Sequence, residues 1–453
     1  MNQVTRRDAL RTTSRTLLGL SAFSGLPNVI NAAGVNPLAD KPSQFKAKAK
    51  RAILFFLPGG VSACDTFDPK PALRRDHGKE VGKDRILAAS RWASRPYGDS
   101  GLELTDLFPH LGSCADELCL IRSMHGDKGD HFEATLSMHS GAKAGTLPGI
   151  GAWISYGLGT ENPSLPSHVV FCEKLPYAGS QAWDSNFLPA YHQGTRVIPA
   201  SEPIPNLTPD GSLVKHQFDE LELLRRMNSR HRDARQGDSI LDARMYSFQA
   251  ANSLQHTAPQ VFDLSSESDE TLDLYGVKRN GPKNFGWQCL MARRMSERGV
   301  RFIELIDTGA AGNWDAHSNM KSYEKLSANI DRPMAGLIKD LKQRGLLEET
   351  LIICCTEFGR TPSAPKTQPD GRDHYKDAFT CWLAGGGSKP GTAYGATDEH
   401  GVRIVQDTVH IHDFHATLMH LLGMDHTKVT YFFSGRDFRL TGLAGNVIPG
   451  LIT

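Results

Sequence analysis

RAILFFLPGG, residues 51–60, is the stretch on which the fold turns. The apolar run from Ala52 to Leu57 is stopped by Pro58-Gly59-Gly60, which reads as a short buried strand ending in a turn. Five further runs repeat the form: ELCLIRSM (117–124), SHVVF (167–171), GVRFIELID (299–307), TLIICCTEF (350–358) and FTCWLAGG (379–386). Helical patterns stand between several of them, notably FGWQCLMARRMSERG (285–299) and IDRPMAGLIKDLKQRG (330–345), with Gly299 and Gly345 where the glycine after a helix is expected. Strands alternating with helices of this length predict βαβ units. The expected architecture is α/β, a three-layer α/β/α sandwich around a mainly parallel central sheet.

Two regions depart from that rhythm. Leu213 to Leu254 is long, charged and amphipathic, preceded by the proline-bearing segment VIPASEPIPNLTPDGS (197–212), and predicts a helical insertion over about 213–275. From His410 onward HDFHATLMHLLG (412–423) predicts one helix ending at Gly423. No internal repeat or low-complexity tract is present.

The composition excludes several function classes. A 453-residue chain with 39% hydrophobic and 22% charged residues is typical of a globular protein. Its 51 basic and 50 acidic residues give a net charge of +1, with no basic run to track a phosphate backbone, so nucleic acid is not an expected partner. At the N-terminus, Thr5-Arg6-Arg7 with Leu10, Arg11 and Arg15 precede the apolar stretch LLGLSAFSGL (17–26), and small residues follow at Ala32, Ala33 and Gly34. This pattern predicts a twin-arginine signal over residues 1–33, recognition by the twin-arginine export machinery, and a mature chain of 34–453 in the periplasm or outside the cell. The stretch is shorter than the roughly 20 apolar residues that span a bilayer, and no transmembrane segment is expected in the mature chain. The eight cysteines show no CxxC pair. Cys354 and Cys355, adjacent in an apolar run, are expected on opposite strand faces, whereas Cys64 beside Asp65 reads as either a packed thiol or a reactive one.

In an open α/β sheet the carboxyl ends of the strands share one crevice, and acids and histidines stand just past several of these runs. They are Asp65, Asp315 and His317 in GNWDAH, Glu357, and His374 in GRDHY. Asp315 and His317, two apart, share one face of an extended segment and can reach one ion, with Trp314 on the other side. An acid directly after a buried strand, as Glu357 is, must be paired or coordinate a cation; the plain alternative is a salt bridge to Arg360. Asp373 and His374 also read as an ordinary solvated turn. HGDKGDHFEATLSMHSG (125–141) crowds His125, Asp127, Asp130, His131 and His139 at a loop-to-helix junction. There Asp130 is either a simple N-cap or part of an anion site beside His131. His412 and His415 lie on what reads as a packed helix.

The ordered set LPGGVSACDTFDPKP, GDHFEATLSMHSG, LPGIGAWISYGLG, LMARRMSERGVRFIEL, WDAHSN, TEFGRTP, GRDHY, WLAGGG, YGATDEHG, HDFHATLMHLLG and GRDFRLTG spans nearly all of the mature chain. It resembles the alkaline phosphatase and sulfatase superfamily, and within it a bacterial twin-arginine-exported family of unknown function. The resemblance implies an alkaline phosphatase-like sheet core with a metal site at strand ends. It implies one or two divalent ions (zinc, manganese, calcium or magnesium) and hydrolysis of a phosphate ester or of a sulfate ester such as a sulfated glycan. Carried over by position, Asp65, with Asp68 as competitor, matches the acid after the first strand. Asp315, His317 and His374 match ligands of one metal, and Glu357 falls where the superfamily has the aspartate of an Asp-His-Gly motif, here Glu357-Phe358-Gly359. Counting back from Ser140-Gly141 to the nucleophile position lands on His131, which reads as a nucleophile, a metal ligand or a general acid. The Cys/Ser-x-Pro-x-Arg motif of sulfatases is absent, which argues against formylglycine chemistry. The implied site is therefore His131 and Arg360 at the reacting atom, Asp65, Asp315, His317, Glu357 and His374 on metal, and Arg372 and His125 on substrate. The alternative implied by the missing motifs is a non-catalytic binding or surface-associated protein on the same fold.

Overall fold

The computed structural model describes residues 37–142, 144–205, 207, 214–235, 238–308 and 313–453. The expected signal over residues 1–33 lies outside the described residues. Nine strands form the main sheet: β1 (Arg51–Phe56), β2 (Leu118–His125), β3 (His168–Cys172), β4 (Thr195–Val197), β5 (Phe302–Ile306), β6 (Thr350–Cys355), β7 (Phe379–Ala384), β8 (Thr392–Tyr394) and β9 (Val409–His410). The helices that frame it are α1 (His131–Ser140), α2 (Ile150–Leu158), α3 (Val214–Asp233), α4 (Ser239–Phe262), α5 (Phe285–Glu297), α6 (Ser322–Gln343) and α7 (Ile411–Leu421).

The strand order is β8-β2-β7-β6-β1-β5-β3-β4, with β9 also paired to β2. Every neighbouring pair is parallel except those made by β7, which runs antiparallel to both β2 and β6. The expected mixed α/β architecture with a mostly parallel central sheet is the one observed. Register aligns the strand ends: Phe56 pairs with Ile306 on one side and Cys355 on the other, so the segments after β1, β5 and β6 emerge at one level. Because β7 is reversed, the residues before it come out at that same edge, where Phe379 pairs with Met124 near the end of β2.

Alternation along β1 builds the layers. Ile53 and Phe55 enter a core with Leu290 and Met291 of α5 and Leu337 and Ile338 of α6; Ala52, Leu54 and Phe56 enter a second core with Trp153 and Ile154 of α2 and Phe414 and Leu418 of α7. Each large apolar side chain removed from water in this way contributes on the order of 1.5–3 kcal/mol. Cys354 joins the first core and Cys355 the second, and all eight cysteines are buried without a disulfide.

Gly299, Gly345 and Gly423 follow their helices at positive φ (84°, 68° and 74°). The helix expected from residue 330 begins earlier, at Ser322, and runs through Pro333. Among the described residues no helix is long and apolar enough to cross a membrane.

Candidate metal centre

The residues at the sheet edge are delivered by short, tightly fixed segments. His131 opens α1, whose N-cap Asp130 accepts the Glu133 backbone N–H at 2.9 Å, so Asp130 is a cap. Asp315 and His317 follow β5 in a segment without regular strand structure, so it is a loop and not an extended strand that aims them together. That loop is hooked to the end of β1 by the Trp314 N–H, which donates to the Pro58 carbonyl at 3.0 Å, and to the segment before β7 by the Arg372 N–H, which donates to the Ala316 carbonyl at 3.1 Å. Gly59 is obligatory there: its φ is +113°, and a Cβ would stand 2.5 Å from the Asp315 nitrogen. Gly371 presses on the His317 carbonyl in the same manner.

Four donor atoms, one each from His131, Asp315, His317 and His374, lie within 4.8 Å of one another. The Nε2 atoms of His317 and His374 are 2.9 Å apart, His317 Nε2 is 3.1 Å and His374 Nε2 3.9 Å from Asp315 Oδ1, and His131 Nε2 is 3.4 Å from Asp315 Oδ2. A tetrahedral ion with bonds of about 2.0–2.1 Å keeps its donors about 3.4 Å apart, the edge of such a tetrahedron. The observed separations bracket that value.

The far nitrogen of each ring faces an acceptor. His131 Nδ1 is 2.6 Å from Glu357 Oε1, His374 Nδ1 is 2.8 Å from the Gly129 carbonyl, and His317 Nδ1 is 3.5 Å from Asp373 Oδ1. A carbonyl can only accept, so His374 carries its proton on Nδ1 and turns the Nε2 lone pair inward; the carboxylates favour the same tautomer in the other two rings. His131 Nε2 is buried without a hydrogen-bond partner. Such an orphaned nitrogen, aimed at a carboxylate and two further imidazoles, fits a cation.

The cluster is half-buried, with His317 exposed, and charge and packing around it follow from that position. Burial opposes ionisation of Asp315, but the facing imidazoles of His131 and His374 and the hydrogen bond and charge of Arg360 outweigh it and hold its carboxyl well below the usual range. Burial likewise opposes charge on His131, yet Asp315 and Glu357 raise its imidazole above the ordinary value, while burial and the Arg360 charge lower that of His317. The His131 ring is stacked on Tyr177 (centroids 4.1 Å, planes 6° apart) and leans on Phe358 (4.8 Å). Tyr177 also donates its hydroxyl to Asp315 Oδ2 at 3.0 Å.

The other expected site residues are placed differently. Asp65 lies outside the four-donor cluster: Oδ2 accepts from Arg372 Nε and from Ser62 Oγ, both at 2.6 Å, and Oδ1 accepts from Arg372 Nη2 at 3.3 Å. Arg372 was expected on substrate, but its remaining N–H groups donate to the Thr361 and Ala88 carbonyls and the side chain is 2% exposed, so no face is left for a ligand. Arg360 is equally sealed. It donates to Gly59, Gly60 and Arg372 carbonyls and to Asp315 Oδ1 at 2.5 Å, which pairs it with Asp315 and not with Glu357.

Glu357 stands behind the cluster, accepting the Gly59 N–H at 2.8 Å as well as facing His131. His125, at the end of β2, packs against His410 with ring centroids 4.9 Å apart. Asp68 pairs with Lys70 and accepts from Thr397. Burial pushes the Cys64 thiol up to about 12, which leaves it a packed thiol at neutral pH. His412 and His415 face the carbonyls of Gly141 and Met138, as packed histidines do.

Tyr177 was not singled out by the sequence. Its only signal is position, five residues beyond the last residue of β3 and therefore at the carboxyl edge of the sheet.

Among solved structures, the chain is similar to the lipoteichoic acid synthase LtaP from Listeria monocytogenes, at 10% identity, 90% coverage of this chain, 79% of that one and a TM-score of 0.38. It is similar to a protein in the alkaline phosphatase superfamily from Vibrio parahaemolyticus at 11% identity, 88% and 72% coverage and a TM-score of 0.37. The phosphonate monoester hydrolase SpPMH from Silicibacter pomeroyi gives 13%, 85% and 75%, with a TM-score of 0.36. No curated protein matches the chain. A family model, however, matches from residue 49 to residue 452, and the chain belongs to that family, described as protein of unknown function (DUF1501).

Proposed function

We propose that the chain is an exported, metal-dependent hydrolase of phosphate or sulfate esters. The observation that carries this reading is the four-donor cluster of His131, Asp315, His317 and His374, with the far nitrogen of each ring turned to an acceptor. Three imidazoles and one carboxylate are a borderline, nitrogen-rich set that favours zinc or another transition divalent ion over magnesium or calcium, which prefer oxygen. Such an ion, when bound, polarises an ester oxygen and stabilises the negative charge that develops on it.

The chain's own residues do the rest. Glu357 and Gly129 fix the tautomers of His131 and His374, and Arg360 orients Asp315 while balancing its charge. Tyr177 and Phe358 hold the His131 ring and shield it from water. In this reading His131 is a ligand, and the nucleophile role implied for it by the superfamily resemblance is set aside. Export through the twin-arginine route rests on Arg6, Arg7 and the apolar stretch after them.

One observation favours a second reading, a metal-holding binding protein without turnover. Both arginines expected to grip substrate oxygens, Arg360 and Arg372, spend their N–H groups inside the fold. The discriminating experiment is a panel of aryl phosphates and aryl sulfates assayed on metal-stripped protein with and without added zinc or manganese. Turnover that appears with metal and vanishes in Asp315→Ala supports the hydrolase; metal binding with no turnover of any ester supports the binding protein.

A further inference from the structure

We infer that this centre is built for a single ion, because the carboxylates a second ion would need are permanently held by donors of the chain itself. The inference rests on the metal-centre reading above and sharpens it. Among the described residues, the four-donor group is the one set of three or more histidine, cysteine or acidic side chains close enough to share an ion. Three buried or half-buried carboxylates stand at the same sheet edge, and each is already engaged.

Asp65, 1% exposed, accepts from the Arg372 fork through both oxygens and from Ser62. A guanidinium does not deprotonate at any working pH, so Arg372 keeps its charge beside Asp65. An ion taking Asp65 would also strand the Arg372 charge in the interior, with only the Thr361 and Ala88 carbonyls as partners. Glu357, also 1% exposed, accepts from the Gly59 N–H and faces His131 through Oε1, and accepts from Thr356 Oγ1 at 3.2 Å through Oε2. Asp315 has Arg360 on Oδ1 at 2.5 Å and Tyr177 on Oδ2 at 3.0 Å. A carboxylate with a fixed donor on each oxygen is a poor bridge between two ions, which in paired sites stand about 3.5–4 Å apart. Arg372 and Arg360 thus supply, as part of the fold, positive charge that a second cation would otherwise bring.

The experiment is equilibrium dialysis of the metal-stripped chain against zinc chloride with elemental analysis, and the same titration with Mn²⁺ followed by electron paramagnetic resonance. One zinc per chain and an isolated-ion Mn²⁺ spectrum are expected. Two equivalents, or an exchange-coupled Mn²⁺ pair, would overturn the single-ion inference and leave the hydrolase reading standing. No bound metal would overturn both. A double variant, Asp65→Asn with Arg372→Met, removes both charges of the buried pair together. With the native circular dichroism spectrum retained, it is expected to keep one zinc with a Kd within about threefold of the parent, since neither side chain is a donor of the cluster and the backbone hydrogen bonds of residue 372 to Ala316 and Arg360 are kept. Loss of that equivalent from a folded double variant would make Asp65 a ligand and end the inference.

Discussion

The two ends of α1 present the same pair of groups in two different states. At its last turn His139 faces Glu304 at 2.7 Å, and at its first residue His131 faces Glu357 at 2.6 Å. His139 is 2% exposed and both of its nitrogens are engaged, the second with the Thr135 carbonyl at 2.7 Å. His131 has one nitrogen engaged and the other orphaned toward Asp315. A closed imidazole–carboxylate pair is structure, whereas an open one, converging with two more histidines and an acid, is a site. What separates them is a single unsatisfied nitrogen.

The largest effect expected from breaking this contrast is at the open end. Asp315→Ala removes the only anionic donor of the cluster, and zinc affinity measured by competition with a chromophoric chelator should fall by at least about a thousandfold. The metal-free protein should lose stability as well, because Arg360 is left buried without its carboxylate. The same deletion at the closed end should leave zinc binding alone. His139→Leu leaves Glu304 buried and unpaired, and urea unfolding should register a loss of about 3–5 kcal/mol. Zinc stoichiometry should be unchanged in whatever fraction remains folded.

The closed pair also has a pH signature with a definite sign. Burial opposes charge on His139, but Glu304 outweighs it and raises the imidazole above its usual value. A raised pKa means the folded state binds the proton more tightly. The stabilisation is therefore fully present below about pH 6.5, the unfolded value, and is lost as pH climbs through the higher folded one. The stability difference between the parent and His139→Leu should accordingly shrink from pH 6 toward pH 8; a difference that grows over that range would mean the pair is not ionic.

The smallest expected effect separates support from ligation. Tyr177→Phe keeps the ring stacked on His131 and deletes only the hydroxyl on Asp315, so zinc affinity should drop by about tenfold. Tyr177→Ala, which also exposes the His131 ring, should lose more. Equal losses in the two variants would assign the whole effect to the hydrogen bond.

Much of the fold was legible because burial leaves a linear trace. AILFF (52–56), FIELI (302–306) and LIICC (351–355) are apolar without interruption apart from Glu304, as strands covered on both faces must be, and the glycines that end helices stand where the periodicity stops. Glu304 itself is the exception explained by His139. The strand-end rule brought Asp315, His317 and His374 into view and the crowding of acids and histidines in HGDKGDHF brought His131, but for His374 the reason lay elsewhere. It precedes β7, and only the reversed direction of that strand returns it to the shared edge. Strand direction has no periodicity of its own, so the sequence could not announce it.

Pairing across the chain was equally silent. Asp65 and Arg372 are 307 residues apart, and nothing local distinguishes an acid awaiting an ion from one already holding a guanidinium. Tyr177 carries no motif and enters the site through a loop.

Anomalous diffraction from crystals of the zinc-loaded protein shows whether these four side chains hold one metal ion. A single anomalous peak is expected about 2.0–2.1 Å from the Nε2 atoms of His131, His317 and His374 and from one carboxylate oxygen of Asp315, with Arg372 still on Asp65. A peak ligated by Asp65 or Glu357, or no peak among the four donors at full zinc occupancy in solution, would contradict it.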